Sequence, residues 1–383
     1  MSASSKKILF VVTEDWYFCS HRMPLAVAAI RAGFQVAVAT RVTKHQKIIE
    51  ESGIRVIPLS WMRRSSLNPI RELFALWELI FLYKRERPDL VHQVALKPAI
   101  FGSLAARLIG VPGRVSALGG LGFIFSSTRV WARLLRSLIL PLFRVAFNHP
   151  RSRLILQNRD DQSVMVDAVG IDPRFIRLIR GAGVDMKQYQ LTRPAIGQPI
   201  VLLAARMLWD KGVNEFVAAA RLLRQKGVSI RFVLVGEPDI ENPLSLSQAQ
   251  LQAWHNSGEV EWWGYREDMP FVLGQASVVC LPSYYGEGIP KVLIEAMACG
   301  RAIITTDMPG CRDTIFNESN GILIPPRDAF SLARAIETLI YDSAKREVMG
   351  LEGRRIAEER YALPLIVAET ISVYKELDSC HGH

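Results

Sequence analysis

Gly286-Glu-Gly-Ile-Pro-Lys-Val-Leu-Ile-Glu-Ala-Met-Ala-Cys-Gly300 places Glu287 and Glu295 on either side of a junction between a loop and a helix. The preceding run, Val278 to Leu281, is short and apolar and reads as a buried strand, and Pro282, Ser283, Gly286, Gly288 and Pro290 mark the turn that follows. Pro290 suits the first helical position, where a missing N–H costs nothing. Glu287 is then expected in the loop at the carboxyl end of a strand, with Glu295 in the second turn of a helix. Backbone N–H groups of that loop, backed by the positive end of the helix dipole, favour a phosphate, and the glycines let it come close. Carboxylates on either side of a diphosphate accept hydrogen bonds from sugar hydroxyls. An acidic turn capping a surface helix has the same local sequence, so the rest of the chain has to decide.

Strand-like runs alternate with amphipathic segments from the start. Ile8 to Thr13, Gln35 to Thr40, Arg55 to Pro58, Leu90 to Gln93, Arg114 to Ala117 and Arg153 to Gln157 form a first set. After the connector Thr192 to Pro199, a second set runs through Ile200 to Ala205, Arg231 to Gly236, Val260 to Trp263, Ser277 to Leu281, Ala302 to Thr306 and Gly321 to Ile324. Such β/α alternation implies parallel sheet. The expected fold is α/β, with two Rossmann-like domains over residues 1–190 and 191–362 facing each other across a cleft. A closing helix over Pro364 to Leu377, within residues 363–383, is expected to pack back on the first domain. Open parallel sheets bind ligands beyond the carboxyl ends of their strands, which gives each domain one lip of a shared site.

In the second set, the first strand leads into Arg206-Met-Leu-Trp-Asp-Lys211-Gly212. Two cations at one carboxyl edge would converge on phosphate, Arg206 as a planar fork of donors and Lys211 as a mobile point charge. Together they could neutralise a departing diphosphate. A solvated strand-to-helix turn has the same local pattern.

The chain has 383 residues, 49% of them apolar, and a net charge of +10. That length suits about two domains with full cores. Lys6 and Lys7 lead directly into a strand-length run without a secretory h-region, so export is not expected. The five cysteines show no C-x-x-C spacing, which points to reduced thiols and to neither a disulfide framework nor a zinc site. His381-Gly-His383 reads as a tail. The basic excess lies in the amino-terminal half: no acidic residue occurs between Asp89 and Asp160, whereas Lys97, Arg107, Arg114, Arg144 and Arg153 are among the cations there. Anions are the expected partners. No nucleic-acid motif accompanies them, and anionic lipid fits better. Val130 to Phe147 interleaves Arg133, Arg136 and Arg144 with Trp131, Leu134, Leu135, Leu138 and Phe143, a pattern suited either to a bilayer interface or to a core helix with a basic face. Trp61 to Arg87, with Phe74, Trp77, Phe81, Lys84 and Arg85, carries a weaker form of the same signal. No apolar run is long enough to span a bilayer.

With the Arg206/Lys211-Gly212 turn and the Glu287/Glu295 element in that order, the sequence resembles the retaining glycosyltransferases of family four, which have the GT-B fold. Asp89-Leu-Val-His92, Lys97-Pro98, Gly119-Gly-Leu-Gly122, Gln157-Asn158, Gly181-Ala-Gly-Val-Asp185, Pro309-Gly310 and Asn320-Gly321 extend the likeness along nearly the whole chain. It is most similar to the bacterial subgroup that builds capsule, O-antigen and N-glycan precursors on polyprenyl-diphosphate carriers. The resemblance implies that Arg206 and Lys211 hold the diphosphate of a UDP-sugar, that Glu295 binds the ribose hydroxyls and that Glu287 faces the sugar. Gly288, Ile289 and Pro290 would line sugar and phosphate. It also implies configuration-retaining transfer in which the leaving diphosphate helps deprotonate the acceptor. Glu287, Arg206 and Lys211 carry the catalytic assignment, with Glu287 acting electrostatically and not as a nucleophile. There is no Asp-x-Asp triplet, so no metal is expected, and no cofactor beyond the donor substrate.

The first half departs from the family pattern. Its opening loop, Glu14 to Arg22, lacks glycines, and His21 and Arg22 either meet the acceptor's diphosphate or cap a helix. His92 ends a strand, with Val94 where a second histidine is often found. Lys97 is a candidate for sugar or phosphate contact, and Gly120, within Gly119 to Gly122, lets an acceptor pass close to the backbone. The expected partners are a UDP-sugar, a polyprenyl-diphosphate-linked acceptor and an anionic membrane surface. The expected location is cytoplasmic, peripheral on the inner face of the cytoplasmic membrane. A UDP-sugar epimerase of the same architecture and a GDP-mannose-dependent transferase are the alternatives. A dehydrogenase is disfavoured because no Gly-x-Gly-x-x-Gly follows the first strand.

Overall fold

Runs of Ile, Val, Leu and Ala with few polar interruptions form the strands, as expected of parallel sheets covered on both faces. The computed structural model describes residues 5–64, 68–121 and 130–379, with the backbone alone for 130–138 and 379. The chain divides into one unit of residues 1–182 and 364–383 and another of Gly183–Leu363.

In the first unit β1 (Lys7–Glu14), β2 (Gln35–Arg41), β3 (Arg55–Pro58), β4 (Leu90–Val94), β5 (Gly113–Ala117), β6 (Ser152–Leu156) and β7 (Ile176–Leu178) form one parallel sheet, ordered β3-β2-β1-β4-β5-β6-β7. The second unit holds β8 (Ile200–Ala204), β9 (Arg231–Val235), β10 (Glu261–Trp262), β11 (Val278–Leu281), β12 (Ala302–Thr306) and β13 (Gly321–Ile324), ordered β10-β9-β8-β11-β12-β13. Most strands read from the sequence lie within a residue or two of these bounds. β7 was not anticipated: three residues, with Arg177 in the middle, are too few to show a period. In each sheet the order reverses beside the first strand, at β1/β4 and at β8/β11, and loops leaving such a switch point diverge to make a crevice.

In the second unit Leu203, Phe216, Leu223 and Ile336 pack on one face of the sheet and Leu202, Val279, Leu293 and Ile303 on the other. In the first unit the closing helix, Leu363–Ser379, supplies Ile366, Ile371, Val373, Tyr374 and Leu377 to the core that holds Phe10 and Phe18. Its Glu376 pairs with Arg153 at 2.8 Å and also with Arg177.

Two local expectations change. The segment after β1 is not a loop: Asp15–His21 is helical, with buried Asp15 accepting hydrogen bonds from the backbone N–H groups of Thr43 (2.6 Å) and His45 (3.0 Å). Pro290 does not occupy the first helical position either. It sits at the N-cap with extended backbone, and the helix begins at Lys291. Val130–Phe147 is a helix in which Phe143, Ala146 and Phe147 are buried and Arg144 donates to the Val169 carbonyl at 2.5 Å. Its described part packs one face into the core and leaves Leu142 and Val145 exposed on the other. The interfacial reading of Trp131, Arg133, Leu134, Leu135, Arg136 and Leu138 lies outside the described side chains, as does Gly122. Among the described residues no helix is long and apolar enough to cross a membrane.

Candidate active site at the second switch point

β8 and β11 are hydrogen-bonded neighbours, so the turns leaving their carboxyl ends emerge side by side. The β8 turn runs through Arg206 and a short 3-10 helix, Trp209–Lys211, to Gly212, which takes the left-handed conformation at φ +74°. A Cβ on Gly212 would overlap the Pro282 carbonyl, so only glycine lets the two turns meet this closely. The Asp210 carbonyl oxygen joins them by accepting from the Tyr284 N–H (3.0 Å) and the Ser283 hydroxyl (3.1 Å).

Across this junction Lys211 Nζ lies 2.6 Å from Glu287 Oε2, both largely shielded from solvent. Arg206 Nη1 pairs at 2.5 Å with Oδ2 of Asp239, in the loop after β9. Asp210 is buried among these charges. Burial raises its carboxyl pKa; Lys211 and Arg206 oppose the rise and Glu287 adds to it. The sequence reading passed over Asp210. Its place beside Lys211 puts it near the cations, but its burial among them shows only once the turns are assembled.

The Glu287 N–H donates to the Pro309 carbonyl at 3.2 Å, tying the loop to the turn after β12. That turn contains Gly310, at φ +79°, pressed against the carbonyls of Glu287 and Gly288. Ile289 is buried, and Gly288 to Pro290 lead into the Lys291–Ala298 helix. Its dipole points its positive end back at the loop. Glu295 is buried one turn further along, where Oε1 accepts from the Tyr189 hydroxyl at 2.7 Å and pairs with Lys291 at 2.9 Å. Burial, then the Glu295 charge, raises the Tyr189 pKa, so its hydroxyl keeps the proton it donates. The donor-side candidates are thus gathered on two touching turns and the helix that follows. Among the described residues no three His, Cys, Asp or Glu side chains gather as metal ligands.

The acceptor-side candidates lie in the first unit. His21 stacks on Tyr17 with ring centroids 4.2 Å apart, and Arg22 is buried at the junction of two helices. His92 does not end a strand. It sits at the middle of β4, fully buried, stacked on Phe10 (4.9 Å) with Nδ1 2.6 Å from the Tyr374 hydroxyl. Burial, then the nearby Arg22 charge, drives its pKa well below the usual histidine value. A neutral, enclosed imidazole holds the closing helix through Nδ1, while its Nε2 is buried without a hydrogen-bond partner. Lys97, near the start of the Leu96–Ile109 helix, is engaged by Glu72 at 2.8 Å and by the Arg63 carbonyl at 2.9 Å. Gly120, at φ +103°, follows β5, and a Cβ on neighbouring Gly119 would lie 3.3 Å from the Tyr17 hydroxyl oxygen.

Two family descriptions fit the chain: glycosyl transferases group 1 over residues 191–356 and glycosyl transferase 4-like over residues 7–159. An N,N'-diacetylbacillosaminyl-diphospho-undecaprenol alpha-1,3-N-acetylgalactosaminyltransferase from Campylobacter jejuni is 31% identical over 85% of this chain and 87% of its own. The chain belongs to the GT4-like, group 1 glycosyltransferases. A UDP-Gal:alpha-D-GlcNAc-diphosphoundecaprenol alpha-1,3-galactosyltransferase from Escherichia coli is 28% identical to this transferase over 71% of each chain. Among solved structures, Anabaena Alr3699/HepE in complex with UDP-glucose superposes with a TM-score of 0.73 at 20% identity, covering 96% of this chain and 99% of its own. That likeness carries the GT-B fold. The transferase's Arg206, Lys211, Glu287 and Glu295 all fall within the group 1 region.

Proposed function

We propose that the protein transfers a hexose or N-acetylhexosamine from a UDP-sugar, with retention of configuration, to a saccharide on polyprenyl diphosphate during synthesis of a bacterial surface polysaccharide or glycan precursor. The single observation that carries this reading is the Lys211–Glu287 pair at the β8/β11 switch point, with Arg206 and Glu295 on the adjoining elements. The printed activities of the two relatives and the UDP-glucose complex of the structural neighbour support the choice of donor and acceptor class. Residues 191–362 would hold the donor, and residues 1–190 the acceptor and the membrane surface, the protein working in the cytoplasm on the inner face of the membrane.

Lys211 and Arg206 are each balanced by a carboxylate, which holds them in place before substrate arrives. A UDP-sugar diphosphate entering beside them takes over those cations, while the N–H groups of Gly288 and Ile289 and the helix dipole add donors. Glu287, released from Lys211, accepts hydroxyls of the sugar, and Glu295 accepts those of the ribose. As the anomeric C–O bond breaks, the charge accumulating on diphosphate is met by groups already oriented. The departing phosphate oxygen takes the acceptor's proton, and the acceptor oxygen bonds to the anomeric carbon on the face just vacated. No protein nucleophile and no metal enter this sequence.

Incubation with a panel of UDP- and GDP-sugars and a polyprenyl-diphosphate-linked saccharide, read by acceptor mass and by NMR of the new linkage, tests it. UDP release, a one-sugar gain in acceptor mass and an α-linked product from an α-linked donor are expected. An inverted linkage would refute retention. Isomerised donor with unchanged acceptor would return the epimerase reading.

A further inference from the structure

The Pro69–Glu86 helix begins cleanly, with Asn68 Oδ1 accepting the Ile70 N–H at 3.0 Å and Pro69 at the first turn. At 100° per residue, Ala75, Leu79, Leu82 and Tyr83 fall on one side, and all four are buried against β1 to β4. Ile70, Leu73, Phe74, Trp77 and Phe81 fall on the opposite side, each between 48% and 68% exposed. Trp61, from the preceding loop, lies against Phe74 with ring centroids 4.8 Å apart and extends the same surface. A soluble helix usually turns polar residues outward, so this one is apolar on both sides.

The charges are also sorted. Lys84 and Arg85 continue the outward stripe, and exposed Arg87 follows. The helix's carboxylates are engaged: Glu72 pairs with Lys97, Glu78 accepts the backbone N–H groups of Ser60 (2.7 Å) and Trp61 (3.1 Å), and Glu86 binds Lys7, Arg55 and, at 3.3 Å, Arg85. An exposed stripe of aromatic and aliphatic side chains that runs into Lys84, Arg85 and Arg87 complements a surface that is apolar below and anionic above.

We propose that this face of the Pro69–Glu86 helix is the membrane-docking surface, lying in the headgroup region of an anionic bilayer with Phe74, Trp77 and Phe81 towards the acyl chains and Lys84, Arg85 and Arg87 at the phosphates. The assignment rests on the reading that the acceptor is carried by a lipid, and it places the attachment here and not on the described part of the Val130–Phe147 helix. Burial of the aromatic stripe supplies a salt-resistant component, and the three cations a component that weakens with ionic strength.

The test is co-sedimentation of the full chain with phosphatidylcholine vesicles containing or lacking phosphatidylglycerol, beside UDP titrations of the same preparations. Wild type should favour the anionic vesicles, and Trp77→Glu/Phe81→Glu should bind them about thirtyfold or more weakly, the least expected when two large apolar side chains lose partial burial. Lys84→Glu/Arg85→Glu should abolish the preference for phosphatidylglycerol. Melting temperature and UDP affinity should be unchanged in both variants. Equal vesicle binding by wild type and Trp77→Glu/Phe81→Glu would overturn the proposal, as would a wild type that ignores vesicles. So would light scattering that shows the aromatic substitutions only splitting a dimer of the chain. Vesicle failure with UDP binding intact removes this assignment alone, whereas lost UDP binding with vesicle binding intact removes the donor-site reading alone.

Discussion

Gly310→Ala should cripple turnover as well as weaken the fold. At φ +79° an alanine carries a strain of about 1–2 kcal/mol. Its Cβ would also lie 2.5 Å from the Glu287 carbonyl oxygen and nearer still to that of Gly288. Ordinary contact needs about 3.5 Å, so the Glu287–Gly288 backbone must retreat by roughly 1 Å or more. That is the backbone carrying the carboxylate paired with Lys211. A displacement of about 1 Å in a positioned catalytic group costs about a hundredfold in rate. Gly227→Ala is the matched control, since Gly227 has φ +76° and nothing within 4 Å of a built Cβ. The two variants share the left-handed strain, so the extra fall in thermal midpoint of Gly310→Ala reports the displaced backbone, and only Gly310→Ala should lose about two orders of magnitude in kcat/KM for sugar transfer. Equal turnover in the two variants would refute the claim that the Glu287 loop is held in a working position by the turn after β12.

Lys211→Ala and Glu287→Gln should each lower kcat by about a hundredfold or more, as loss of preoriented charge at a leaving group does; steady-state transfer assays check this, and near-normal rates in both would remove the site. Tyr189→Phe takes from buried Glu295 a hydrogen bond to a charged group, worth about 1.5–3 kcal/mol. Its thermal midpoint should fall and its KM for the UDP-sugar should rise more than its kcat falls. Burial and the neighbouring Arg114, Arg107 and Arg151 hold the His149 pKa down to about 4, against an ordinary value of 6.5. The unfolded chain therefore binds the extra proton between those values, and His149's contribution to stability is complete above 6.5 and declines as the pH falls towards 4. Thermal melts from neutrality downward should show this decline, and His149→Gln should flatten it; an unchanged slope would contradict the assignment.

The β/α alternation was plain in the sequence because buried parallel strands are continuous apolar runs, which leave a mark that needs no knowledge of their partners. Arg206, Lys211, Glu287 and Glu295 were recognisable for a related reason: each belongs to a strand-turn-helix passage whose turn residues are local. What could not be read depends on contacts far apart in the chain. His92 looked like the end of a strand, and only Tyr374, 282 residues away, completes its surroundings. Lys97 has a favourable place near a helix start, yet Glu72 already engages it. Asp210 was overlooked because burial among like and unlike charges is a property of the assembled turns. The outward aromatic face of the Pro69–Glu86 helix showed as residue types but not as exposure, since both sides of that helix are apolar.

Binding of UDP to crystals of the protein tests the central claim most directly. The account predicts diphosphate oxygens within about 3.2 Å of Arg206 and Lys211 donors, ribose hydroxyls on Glu295, and the Lys211–Glu287 pair opened. Nucleotide bound elsewhere on the second unit, with that pair still closed, would contradict it.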